Sequence, residues 1–144
     1  MSRRVTITFD AIDPPTIAKF WAAALGYQLP TPPSGFATWD DFADANDIPA
    51  DKRGNIVAVE DADGAGPRLL FLRVPEDKST KNRVHLDVHC GIDRDAGTLE
   101  DHQASIAKVV VELVEMGATE GEHFYEGTPW TVLTDPEGNE FCVV

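Results

Sequence analysis

The segment "DADGAGPRLLFLRV", Asp61–Val74, sets a turn-forming run of Asp, Gly and Pro directly before an apolar strand. The C-terminus repeats the arrangement in "TDPEGNEFCVV", Thr134–Val144, again with an Asp-x-(Asp/Glu)-Gly turn ahead of a strand. Working outward from the first copy, "NIVAVE" (55–60) is the strand that pairs across the turn. Upstream, Arg4–Phe9 alternates, with Val5, Ile7 and Phe9 on one side and Thr6, Thr8 and Asp10 on the other. Asp13 before Pro14 and Pro15 signals a helix start. Ile17, Phe20, Trp21, Ala24 and Leu25 form its apolar stripe and Gly26 its stop. A short strand at Tyr27–Leu29 runs into the breaker "PTPPSG", and a short helix capped by Thr38 or Asp40 follows.

Working outward from the second copy recovers the same order. "RVHLDVH", 83–89, alternates as a strand; Leu99, Ile106, Val109, Val110 and Leu113 mark a long helix that ends at Gly117. Strands at Glu120–Phe124, Trp130–Leu133 and Glu140–Val143 complete the chain. The expectation is an α+β fold in one domain, 1–144, built from two βαβββ modules at about 1–75 and 83–144. The modules would form a curved mixed sheet with the helices on its outer face. Val84, Leu86, Val88, Phe141 and Val143 would then face the second helix. Thr6, Thr8, Asp10, His85, Asp87, His89, Glu140 and Cys142 would collect on the opposite, pocket-forming face.

The 144-residue length suits a single compact core, and 42% hydrophobic with 26% charged residues is an ordinary globular balance. A formal net charge of −13 argues against nucleic acid and anionic membranes as partners. It favours a cationic ligand wherever acidic groups line a cleft. No apolar h-region follows Arg3 and Arg4, so a cytoplasmic protein is expected. Cys90 and Cys142 lie far apart in sequence and outside any CxxC pair, which makes a disulfide framework a poor reading.

Histidine, aspartate and histidine recur at alternate positions in "HLDVH". His85 and His89 stand about 13 Å apart along a strand that rises about 3.3 Å per residue, too far to share one ion. His85 with Asp87, or Asp87 with His89, could share one, helped by Glu140. A hydrogen bond in which Asp87 fixes the tautomer of His85 is the simpler arrangement. Trp39 and Trp130, near loop or strand starts, either cover a pocket mouth or pack structurally.

The chain resembles the vicinal oxygen chelate superfamily, which includes glyoxalase I, extradiol dioxygenases, and bleomycin- and fosfomycin-resistance proteins. The resemblance rests on "FWAAALGY" (20–27), "LVEMGAT" (113–119) and "DPEGNEFCVV" (135–144), in that order. "GPRLLFLRVPEDKSTKNRVHLDVH" (66–89) resembles the glyoxalase-like domain group almost throughout. The resemblance implies a divalent metal held, in the enzymes, by His, Gln or Glu at four strand positions. These fall here on Thr6, on Leu70 or Leu72, on His85, and on Cys142. His85 alone is a conventional ligand at a family position, and His85 with a Cys142 thiolate needs a third donor. No metal site and no cofactor are therefore expected, with a divalent metal as the exception to test.

The resemblance also implies a homodimer of the drug-sequestering kind that binds a small molecule, here a cationic one, independently of metal. The alternative it carries is a metal-dependent lyase, isomerase or dioxygenase. The candidate ligand-binding face comprises His85, Asp87, Thr6, Thr8, Leu70, Leu72, Glu140 and Cys142, with Trp39 and Trp130 beside it.

Overall fold

The computed structural model describes residues 1 and 3–144. Among these residues the chain forms two compact units, Met1–Asp77 and Lys78–Val144. In the first, β1 (Thr6–Ala11) leads to α1 (Pro14–Leu25), then α2 (Trp39–Ala45), β2 (Ile56–Val59) and β3 (Arg68–Arg73). β3 is central, parallel to β1 and antiparallel to β2. The Asp13 carboxylate accepts the Thr16 amide and hydroxyl at the start of α1, and Gly26 takes the left-handed conformation (φ 67°) at its end. Ile17, Phe20 and Trp21 on α1 are buried, as are Val59, Leu69 and Phe71 on the sheet. The Phe9 ring lies 5.5 Å from that of Trp21 and 5.1 Å from that of Phe71.

Of the two caps expected for α2, Thr38 is the one used; it exchanges hydrogen bonds with Asp41 in a capping box. The strand expected at Tyr27–Leu29 shrinks to one bridge, Gln28 with Glu60. The chain leaves the sheet at once through Pro30, Pro32 and Pro33, and prolines cannot donate to a ladder.

The second unit is a complete βαβββ module: β4 (Asp87–Val88), α3 (Leu99–Glu115), β5 (Thr119–Phe124), β6 (Trp130–Thr134) and β7 (Glu140–Val143). Its strand order is β4-β7-β6-β5, parallel between β4 and β7 and antiparallel elsewhere. Thr98 and Asp101 form a second capping box at the head of α3. Ile106, Val110 and Leu113 are buried on α3, with Leu133, Phe141 and Val143 buried on the sheet. Leu99 lies in the first turn of α3 and is 52% exposed, so the apolar stripe begins later than its sequence position suggested.

The expected strand over 83–89 is shorter than its alternation implied, and Val84 is 77% exposed rather than packed under α3. The cause is a clamp at the head of β7. The Glu140 carboxylate accepts the Asn82 backbone N–H at 3.0 Å and pairs with Lys78 Nζ at 3.0 Å. The Asn82 side chain donates to the Glu140 carbonyl at 3.1 Å. Side-chain bonds thus occupy the edge of β7 at Glu140, and regular pairing resumes only where Cys142 N–H donates to the Leu86 carbonyl at 2.9 Å. Between these two anchors the chain bends at Arg83 and Val84.

The clamp holds the Glu140 carboxyl well below its ordinary value of 4.5, at about 2, chiefly through the Asn82 amide and further through Lys78. A carboxylate with a lowered folded-state pKa stabilises the fold above its ordinary value and loses that contribution as pH falls through the folded-state value. At neutral pH Glu140→Gln is expected to cost about 1–2 kcal/mol, after allowance for solvent screening at a partly open site. Urea unfolding at stepped pH checks this: the gap between wild type and variant should close as pH falls from about 4.5 towards 2. A gap independent of pH would contradict it.

Candidate functional site

In the second unit, pairing registers decide which side chains meet. Asp87 pairs with Cys142, and Val132 pairs with Cys142 on its other side, so these three project from one face. The opposite face carries Val88, Thr131, Leu133, Phe141 and Val143, all buried. His85 sits one pleat before Asp87, and its Nε2 lies 3.5 Å from Asp87 Oδ1. Asp87 also accepts a hydrogen bond from the Cys142 thiol. One ligand atom each from His85, Asp87 and Cys142 lies within 4.8 Å of the other two. Cys142 is 8% exposed, whereas about half of each of the His85 and Asp87 side chains is open to solvent.

This environment defines the protonation of the thiol. Burial foremost, and then the negative charge of Asp87, push the Cys142 thiol above its ordinary value. At neutral pH it is a protonated donor to Asp87 rather than a ready nucleophile.

The remaining candidates divide. Glu140 shares the Cys142 face by strand alternation, but Asn82 and Lys78 engage its carboxylate, so it stands outside the three-residue cluster. Trp130 lies on the same face and stacks on Phe124, with ring centroids 4.9 Å apart and planes 11° from parallel. In the first unit Thr6 and Thr8 are exposed on the side opposite Ile7 and Phe9. Their register partners include Leu70, and Leu70 and Leu72 are half-buried on that same side. Trp39 serves packing, since its indole N–H donates to the Pro30 carbonyl at 2.8 Å and its ring meets Phe42 edge-on.

The donor set does not fit the four-position metal centre implied by the family resemblance, because Leu70 and Leu72 carry no ligand atom and Thr6 offers only a neutral hydroxyl. Sequence reasoning missed three partners. Lys78 and Asn82 lie in a polar loop whose alignment with Glu140 depends on tertiary register. Phe124 belonged to an expected strand, but nothing in its spacing marked it as the platform under Trp130.

The thiol environment yields a direct test. In a Cys90→Ser background, Cys142 is expected to react slowly with an aromatic disulfide reagent at neutral pH. Asp87→Asn removes a negative charge that raises the thiol and should accelerate that reaction several-fold, roughly in line with tenfold per pKa unit. Followed by thiol-release absorbance, an unchanged rate would show that Asp87 does not act on Cys142.

The family model described as "Glyoxalase-like domain" matches residues 6–144. No protein of curated function matches the chain. Among solved structures, a glyoxalase/bleomycin resistance protein/dioxygenase family enzyme from Burkholderia phytofirmans PsJN is similar at 15% identity and TM-score 0.60, over 96% of this chain and 94% of that one. A glyoxalase-related enzyme from Fulvimarina pelagi is similar at 14% identity and TM-score 0.58, over 99% and 87%. The fosfomycin resistance protein FosX from Mesorhizobium loti is similar at 9% identity and TM-score 0.60, over 99% and 90%. At these identities the structures establish a shared fold alone. With the family model spanning nearly its whole length, the chain belongs to the glyoxalase-like domain family.

Proposed function

We propose that this protein binds a small cationic molecule on the open face of the sheet in its second unit, and that it holds the molecule rather than transforming it. The observation that carries the reading is the contrast between two carboxylates on one face. Glu140 is neutralised by Lys78, whereas the Asp87 side chain is half open to solvent beside a neutral, protonated thiol. A net charge of −13 adds a long-range field that draws cations to the protein. The Trp130 ring, stacked on Phe124, supplies a flat aromatic surface on the same face, suited to the cation–π contact that ammonium groups make.

Two features favour binding over turnover. The family-type metal positions include leucines, which cannot hold an ion, and the buried thiol is held in its less reactive form. A fosfomycin resistance protein among the structural neighbours shows that this fold also occurs in a drug-resistance protein.

Calorimetric titration with a benzyl-trimethylammonium salt and its neutral tert-butyl isostere tests the reading. The cation is expected to bind and the isostere to bind at least about tenfold more weakly, a difference of about 1.4 kcal/mol. Asp87→Asn should weaken the cation by a similar factor, and added salt should weaken it further. Equal binding of both compounds, or indifference to Asp87→Asn, would overturn it.

A further inference from the structure

His85, Asp87 and Cys142 bring together one nitrogen, one oxygen and one sulfur donor. The sequence alone left His85 and Cys142 short of a third ligand. The register between β4 and β7 supplies one, because Asp87 is the direct pairing partner of Cys142. We propose that these three side chains form a binding site for one thiophilic divalent cation of the zinc class. The site is self-contained in the second unit and owes nothing to Thr6, Leu70 or Leu72. The inference goes beyond the organic-cation reading and stands without it.

Geometry and chemistry agree on the ion. Zinc bound by sulfur at about 2.3 Å, and by nitrogen and oxygen at about 2.0–2.2 Å, sets tetrahedral donors roughly 3.4–3.6 Å apart. His85 Nε2 and Asp87 Oδ1 already stand 3.5 Å apart. Because every donor pair lies within 4.8 Å, the closure needed is at most about 1 Å, within the reach of small χ adjustments. Cys142 is the fixed point, buried and paired on both sides within the sheet. His85 and Asp87, half exposed, are the arms that can adjust. A thiolate and a carboxylate together balance a divalent charge, and their exposed side leaves a fourth position to solvent. One carboxylate with a sulfur and an imidazole suits zinc, cobalt or cadmium and does not suit magnesium or calcium, which require oxygen-rich sites. Because the ion and an organic cation both need Asp87, they would compete.

Titration of the full-length protein, freed of metal by chelator dialysis, with Co2+ tests the site by absorbance. The expected result is a thiolate-to-cobalt charge-transfer band in the near ultraviolet that saturates at one equivalent. Zn2+ should abolish the band, and excess Mg2+ should leave it intact. Cys142→Ser should remove it, Cys90→Ser should not, and Asp87→Asn and His85→Gln should each weaken Co2+ binding at least about tenfold. His85→Gln alters an exposed side chain, so it keeps the test valid if a change at buried Cys142 unfolds the protein. Absence of a thiolate band, its loss in Cys90→Ser, or full affinity in Asp87→Asn would each overturn the proposal. Calorimetry with the ammonium ligand on the same metal-free protein reports separately on the organic-cation reading.

Discussion

The Glu140 clamp governs the second unit of this protein. One carboxylate receives the Asn82 amide and the Lys78 ammonium, while the Asn82 side chain bonds the Glu140 backbone. The loop before β4 is thereby tied to the head of β7, and the Leu86 carbonyl is tied to Cys142 just beyond. Only Arg83, Val84 and His85 lie between the anchors, so their path is tightly restricted. Val84 turns out to solvent, and His85 is delivered beside Asp87. Beyond Leu86 the ladder takes over: Val144 N–H donates to the Val88 carbonyl at 3.0 Å and Cys90 N–H to the Val144 carbonyl at 2.8 Å, so the clamp sets the approach to β4 and the ladder sets β4 itself.

The same interaction divides the labour among acidic groups. Lys78 and Asn82 satisfy Glu140, which becomes structural although it points to the open face. Asp87 is left as the exposed carboxylate beside the buried Cys142 thiol, and its charge helps to keep that thiol protonated. The organic cation we propose as ligand would answer that charge through Asp87 and the Trp130 face. A thiophilic metal ion can answer it by replacing the thiol proton, because metal binding releases protons from its ligands.

How much was legible in sequence follows from the range of each interaction. Asp13, Thr38 and Thr98 act within one turn of their helices. The sequence marks Asp13 as a cap and Thr38 as one of two candidates with Asp40, while Thr98 caps α3 by the same capping-box chemistry without having been singled out. Glu140–Val143 was readable because a turn bounds it and apolar residues alternate within it. His85 and Asp87 could be set on one face by strand periodicity alone. The partner of Asp87 could not, because a one-residue slip between β4 and β7 would replace Cys142 with Phe141 or Val143. The clamp joins residues 58 positions apart through a loop without periodicity, and no local signal encodes that contact. The alternation of 83–89 overstated β4 for a related reason: a pattern shows what could pair, and the neighbouring strand decides what does.

Carbon-13 NMR of the Glu140 side-chain carboxyl, followed through a pH titration, tests the clamp most directly. The resonance is expected to keep its ionised position as pH falls through 4.5 and to move only near about 2, with the Asn82 amide proton shifting in step. Titration at the ordinary glutamate value, with the Asn82 amide indifferent, would show that the carboxylate is not engaged and that the clamp does not direct the chain from Asn82 to His85.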